Sequence, residues 1–282
     1  MGFAIVVDST CDWEFPEYAE RNVTMVPLKI EVGGESFADQ YEISSDEFYD
    51  RMAAAEQLPK TSQPAPFDFV GVYNRLAEEG YDHIVSLHIA APLSGTVQSA
   101  TLAAAQVNVP VSVIDSKGAT AKLGLLATYA CQLRDAGASA EEAVAKLEQA
   151  TQNINFLVAC DTLENFLKGG RLSADQVENA AMLNIKMVFS FNEDGVIVAA
   201  DKAKGMNGVL KNYVKAIQRL TEEEGTQRVR FCHVRNVDAV EKLKALLADA
   251  GVEYVDEGTA LCGATVGTHL GIGAVGAACL KA

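Results

Sequence analysis

His269 is the residue whose surroundings most suggest chemistry. It stands in Thr259 to Leu280, twenty-two residues with no formally charged side chain and glycines at 263, 267, 271, 273 and 276. Glycine removes side chains where a backbone must turn or another group must approach closely, and a neutral imidazole there donates or accepts a hydrogen bond. Such a segment reads as the wall of a buried site. Three hydroxyl-rich stretches complement it: Asp8-Ser9-Thr10, Thr61-Ser62-Gln63-Pro64, and Ser94-Gly95-Thr96 followed by Gln98-Ser99. Ser94, Gly95 and Thr96 open a helix, where backbone N–H groups and hydroxyls receive an anion such as a carboxylate or phosphate. The hydroxyls also fit plain helix caps and turns. A fourth stretch, Leu163 to Ser173, ends a helix on Gly169-Gly170 and presents Arg171, which would clamp an anion or meet a partner where it is not simply solvated.

Two other readings of the glycine-rich segment fail on physical grounds. Its length suits a membrane span, but five glycines and a central histidine make a poor helix in hydrocarbon, so no stable membrane insertion is expected. Gly271-Ile-Gly273-Ala-Val-Gly276 spells the dinucleotide fingerprint without the preceding first strand or the later acidic residue that the motif requires.

The formal charge of -15 argues against a nucleic-acid or anionic-membrane partner, because phosphate neutralisation needs clustered Lys and Arg. The six cysteines are scattered, with no C-x-x-C pair, and a chain of 282 residues has no need of staples. Free buried thiols and a cytoplasmic location are the expectation. Gly2 is not followed by the Ser or Thr that myristoylation wants at position 6, where Val6 stands.

These residues need elements to position them. Ala4 to Val7, Met25 to Glu31, Ile84 to Leu87 and Val111 to Ile114 are short apolar runs that read as strands. Helical stretches separate them: Ser44 with Glu47 and Ser139 with Glu142 spell capping boxes, and Pro66 to Glu79, Thr96 to Ala105 and Ala119 to Arg134 have helical patterns. That alternation predicts a parallel, helix-covered sheet with its ligand beyond the carboxyl ends of the strands. After Asn155 the pattern changes to strands in 156–163, 185–192, 196–203 and 228–235, a hairpin turn at 192–195, and helices over 210–223 and 237–250. The expected fold class is α/β with two packed domains: an N-terminal parallel-sheet α/β domain, 1–155, and a C-terminal α+β domain, 156–282.

Taken in order, Asp8-Ser9-Thr10, Thr61-Ser62-Gln63-Pro64, Ser94-Gly95-Thr96 with Gln98-Ser99, Lys168-Gly169-Gly170-Arg171 and Gly267-Thr268-His269-Leu270-Gly271-Ile272-Gly273 resemble the DegV family of fatty-acid-binding proteins, which includes the FakB subunits of bacterial fatty-acid kinase. The resemblance spans nearly the whole chain. It implies a two-domain fold like that of the dihydroxyacetone-kinase substrate unit, holding one long acyl chain, and a carrier rather than an enzyme. It implies that Thr61, Ser62, Ser94, Gly95, Thr96 and His269 gather around the fatty-acid carboxylate. Arg171 would serve docking of a kinase subunit, which phosphorylates the bound carboxylate with ATP. No cofactor and no metal are implied; the lipid is the ligand. Two departures stand out: Ile272 occupies a position commonly held by proline, so the turn after His269 is expected to be less rigid, and Asp12 is followed by Trp13-Glu14-Phe15-Pro16 where the family usually has Asp-Leu-Pro.

Hydroxyl and imidazole groups would satisfy a buried head group without a fixed positive charge. Roughly ten buried methylenes at about 0.8 kcal/mol each would give about 8 kcal/mol before ordering costs. Leu93, Leu123, Leu125, Leu126, Phe166 and Leu167 are available as lining. The alternatives are a serine hydrolase using Ser94 and His269, which lacks the G-x-S-x-G elbow and would need a distant acid such as Asp115, a binder of a small dihydroxyacetone-like ketone, and an interaction protein whose lipid is structural.

Overall fold

The computed structural model describes residues 2–172 and 185–282. The first sheet is wholly parallel, in the order β2-β1-β6-β7, from β1 (Ala4–Asp8), β2 (Val23–Val26), β6 (Ile84–His88) and β7 (Val111–Asp115). All five residues of β1 and of β6 are buried, which is why these strands read as continuous apolar runs and not as alternating patterns. A small antiparallel sheet, β4-β3-β5, joins β3 (Lys29–Val32), β4 (Glu35–Ala38) and β5 (Lys60–Ser62). The run Met25 to Glu31, expected as one strand, is therefore two strands in different sheets. Pro27 has no N–H to continue the ladder, and the Leu28 N–H turns instead to donate to Ser9 Oγ at 3.1 Å.

The second sheet has the order β10-β9-β8-β13-β11-β12, built from β8 (Asn155–Ala159), β9 (Ile185–Phe191), β10 (Ile197–Lys204), β11 (Gln227–His233), β12 (Tyr254–Leu261) and β13 (Val275–Lys281). Its pairings are antiparallel except β11 with β12. The turn at 192–195 forms as expected, with Asn192 Oδ1 accepting from the N–H groups of Asp194 and Val196.

Helices complete a layered α/β arrangement. α1 (Phe15–Glu20) leads into β2, and α2 (Ser45–Ala54) packs beside β3. Phe69, Tyr73 and Leu76 of α3 (Pro66–Glu78), with Ala100 and Ala103 of α4 (Thr96–Ala104), cover one face of the first sheet. α8 (Gly205–Glu224) and α9 (Val237–Asp249) cover the far face of the second sheet. α5 (Ala121–Asp135) and α6 (Ala140–Asn153) lie between the sheets, and α5 touches β1 and β6 on one side and β11 and β13 on the other. That placement explains why α5 is buried around its whole circumference, from Leu123 through Ala127 to Cys131. Ser139 and Glu142 form the full reciprocal capping box of α6. Ser44 caps α2, but Glu47 turns its carboxylate to Arg51. Among the described residues two short α-helices remain, α7 (Glu164–Lys168) after β8 and α10 (Ala264–Leu270) before β13, and they touch each other. All six cysteines are buried free thiols.

Candidate functional site

A cavity of about 300 Å³ lies beyond the carboxyl ends of the first sheet and against one face of the second. Leu28 follows β2, Ile89 to Gly95 follow β6, and Ala119 and Thr120 follow β7, so three strand ends of one parallel sheet contribute to its wall. The opposite wall is apolar and comes from alternate residues of two strands, Phe156 and Val158 on β8 and Phe189 and Phe191 on β9. Their neighbours Leu157, Ala159 and Val188 point the other way, into the core beneath α8 and α9.

The polar end is built by α10. His269 sits in its last turn, and Nε2 is hydrogen-bonded to Thr61 Oγ1 of β5 at 3.1 Å. Nδ1 is buried with no hydrogen-bond partner among the described residues. A helix C-terminus favours the imidazolium by up to about 2 kcal/mol, but burial first and the nearby Arg171 guanidinium second outweigh it and hold the imidazole down to about 4. At neutral pH His269 is an uncharged hydrogen-bonding group.

The glycines of the segment have identifiable tasks. A Cβ at Gly267 would lie inside Tyr49 Oη of α2, and that hydroxyl donates to the Cys262 carbonyl at 2.5 Å, fixing the start of α10. Gly271 ends the helix with φ +73°, a conformation that favours glycine. At the C-cap of the facing helix α7, a Cβ at Gly169 would collide with His269 Nδ1, so the Lys168-Gly169-Gly170-Arg171 stretch meets the imidazole directly. Arg171 Nη1 donates to the Gly169 carbonyl at 2.6 Å, and Arg171 also lines the cavity while remaining exposed. Ser173, the end of that stretch, lies outside the described residues. Ile272, in the turn after His269, is 42% exposed.

Of the sequence-predicted head-group residues, Thr61, Ser62, Ser94, Gly95 and His269 line the cavity. Thr96 stands behind them, fully buried, and its Oγ1 pairs with Ser94 Oγ at 2.9 Å. Neither hydroxyl caps α4, whose N-cap is Gly95 without a side-chain bond. The Gln63 amide occupies the space where a Gly95 Cβ would be, 2.5 Å from it, which brings the two hydroxyl stretches together. Thr61 and Ser62 belong to strand β5 and not to a turn between helices.

Asp8-Ser9-Thr10 lies behind the wall. The Asp8 carboxylate accepts from Thr10 N–H, Thr10 Oγ1 and Ile89 N–H, and its Oδ2 is 3.1 Å from His88 Nδ1. It fixes Ile89 at the start of the Ser94 loop. Ser9 Oγ donates to Asp39 Oδ2, which also accepts from Thr265 N–H and Oγ1, tying the start of α10 to the end of β1. Burial pushes the Asp39 carboxyl up from its ordinary value, against the pull of those donors.

Several site residues gave no signal in the sequence. Thr120 lines the cavity with φ +49° and ψ -125°, a strained backbone for a β-branched residue, held by its N–H to the Thr10 carbonyl at 2.8 Å. Among the leucines expected as lining, Leu93 does line the cavity, as does Phe166. Leu123, Leu125 and Leu126 are instead packing residues of α5, and Leu167 is 40% exposed. The period-2 pattern in 156–158 and 189–191 was the available signal for the true lining.

Ser94, His269 and Asp115 each have other partners in this structure. Ser94 Oγ pairs with Thr96 and His269 pairs with Thr61, while Asp115 is engaged by Lys117 and the Ala91 N–H. The sequence model of the DegV family matches residues 2–282. The chain belongs to the DegV family. A DegV domain-containing protein of Staphylococcus aureus is 32% identical over 279 residues, covering 98% of each chain. Among solved structures, a DegV-family protein from Thermus thermophilus, described by its fatty-acid binding, superposes with a TM-score of 0.92 at 32% identity over 100% of both chains. DegV of Bacillus subtilis, a fatty-acid-binding protein, has a TM-score of 0.89 at 27% identity, again over 100% of both. The mixed α/β architecture, with a parallel-sheet N-terminal region and an α+β C-terminal region, is that of these DegV structures. Among the described residues, no helix is long and apolar enough to cross a membrane.

Proposed function

We propose that this protein binds one long-chain fatty acid in the cavity and presents its carboxylate to a partner kinase for conversion to an acyl phosphate. The observation that carries the reading is the polarity of the cavity: Phe156, Val158, Phe189 and Phe191 form one wall, and the hydroxyls of Thr61, Ser62 and Ser94 with neutral His269 form the other end. An anion at that end would draw hydrogen bonds from groups that carry no formal charge, with the Arg171 guanidinium adding a favourable field from the mouth. A head group held in this way stays available for transfer, whereas a bidentate arginine would hold it more firmly. Thr96 orients Ser94, and Gly95 gives Gln63 its place.

Arg171 is exposed at the mouth and is the residue assigned to the kinase subunit. No nucleotide site is assigned to this chain; the kinase brings ATP, and this protein brings substrate in a fixed orientation.

Denaturing extraction of the purified protein followed by mass spectrometry tests the reading. A long-chain fatty acid in near-stoichiometric amount is expected; a bound triose, or hydrolysis of activated acyl esters dependent on Ser94 and His269, would overturn it. The kinase step is tested with Arg171→Ala, which should keep its lipid and lose phosphorylation by a fatty-acid kinase. Loss of both together would remove the docking assignment.

A further inference from the structure

A second cavity, of about 460 Å³, adjoins the first and shares Ser190 and Phe191 with it. It lies at the end of the acyl wall remote from His269. α7, which meets α10, follows the carboxyl end of β8, whereas Phe156 is at the start of β8 and Phe191 at the end of antiparallel β9. Three residues of strand, about 10 Å at 3.3 Å each, separate Ala159 from Phe156.

Apart from Ile154 the rest of the second cavity is polar, with Gln152, Asn192, Glu193 and Asp194 among its lining, and Lys122 enters it from the first turn of α5. Lys122 is only 4% exposed. Among the described residues its Nζ has no hydrogen-bond or ion-pair partner, and it stands over the face of Phe191, 6.0 Å from the ring centroid. Its stem lies on Gly118, where a Cβ would meet Lys122 Cδ at 2.5 Å. Asp115, the acid that acts on Lys122, is already held by Lys117 at 3.1 Å. Burial brings the ammonium down to about 8. The stem is buried while Nζ opens onto the second cavity, so any acceptor for the ammonium must come from that cavity, and a methionine would fill the same space without the charge.

From this placement we infer that the far end of the acyl cavity is a second polar subsite, in which Lys122 donates to an oxygen at the ω-end of the ligand. The class of ligand is a long-chain acid carrying a terminal hydroxyl or carboxylate. Its chain lies along the β8–β9 wall, passes Phe191, and ends in the polar cavity; Glu193 and Asp194 at that cavity weigh against a carboxylate and favour the hydroxyl. This inference rests on the fatty-acid reading of the first cavity.

The test compares hexadecanoic, 16-hydroxyhexadecanoic and hexadecanedioic acids by titration calorimetry on the wild type and on Lys122→Met. In the wild type, an ω-oxygenated acid should bind as tightly as hexadecanoic acid or more tightly; weaker binding of both overturns the inference. In Lys122→Met, the ω-oxygenated acids should lose about tenfold while hexadecanoic acid is retained. An unchanged ratio between the two proteins overturns it as well. Hexadecanoic acid bound by Lys122→Met certifies a folded variant, and if the variant does not fold the wild-type order decides. Absence of hexadecanoic acid binding in the wild type would instead sink the fatty-acid reading itself.

Discussion

His269→Gln removes a group whose protonation differs between the folded and unfolded chain. The imidazole is held at about 4 by burial and by Arg171, against an ordinary value of 6.5. Above pH 6.5 it is neutral in both states and adds no pH dependence. As the pH falls below 6.5 the unfolded chain takes up a proton that the folded site refuses, so stability present above 6.5 is lost progressively down to about 4. At 1.36 kcal/mol per pKa unit the full loss is about 3 kcal/mol, of which about 2 kcal/mol is expressed by pH 5. Urea unfolding of lipid-free wild type and His269→Gln at pH 7.5 and pH 5.0 measures it, because the other titrating groups are common to both proteins. The wild type should lose about 2 kcal/mol more than the variant on acidification. Equal losses would refute the claim that the imidazole is buried neutral, and with it the uncharged head-group site.

Other substitutions probe the supports of the site. Ser94→Ala should weaken fatty-acid binding by about 1 to 3 kcal/mol through one unsatisfied head-group bond, read by displacement of a fluorescent fatty acid. Gly267→Ala drives a methyl into Tyr49 Oη and should cost about 1 to 3 kcal/mol in urea unfolding, with Tyr49→Phe recovering part of the loss. Thr120→Gly and Thr120→Ala both lose the hydroxyl, but only alanine keeps a Cβ at φ +49°, so the glycine variant should be more stable by about 1 kcal/mol or more. Lys122→Met should raise stability at pH 7 by about 3 kcal/mol, a gain that shrinks as the pH rises from 8 toward 10.5, where the wild-type amine is neutral in both states.

The buried strands of the parallel sheet were legible because a strand covered on both faces is apolar throughout, and the fully buried α5 was legible from its helix-length run. β4, β5 and β12 were not, since short or edge strands such as Lys60–Ser62 and Tyr254–Leu261 carry charged and polar residues that give no apolar pattern. The cavity-lining hydroxyls and His269 were legible as a set of small polar residues and glycines. The carboxylates behind them were not: Asp39 acts on Ser9 and Thr265, and Asp12 on the Gly263 N–H, across sequence separations that only the fold closes. Thr120 escaped notice because backbone strain has no residue-type signature when it falls on a threonine.

Because α5 belongs to the packing of both sheets at once, neither half of the molecule owns its interior. A cut after residue 155 would strip the second sheet of the helices that seal one of its faces, and the C-terminal fragment would expose Phe156, Phe189 and the other aromatic residues of that face to water. Calorimetry of the intact chain should accordingly record a single cooperative transition. Ligand exchange by swinging the halves apart would expose the apolar surface of α5.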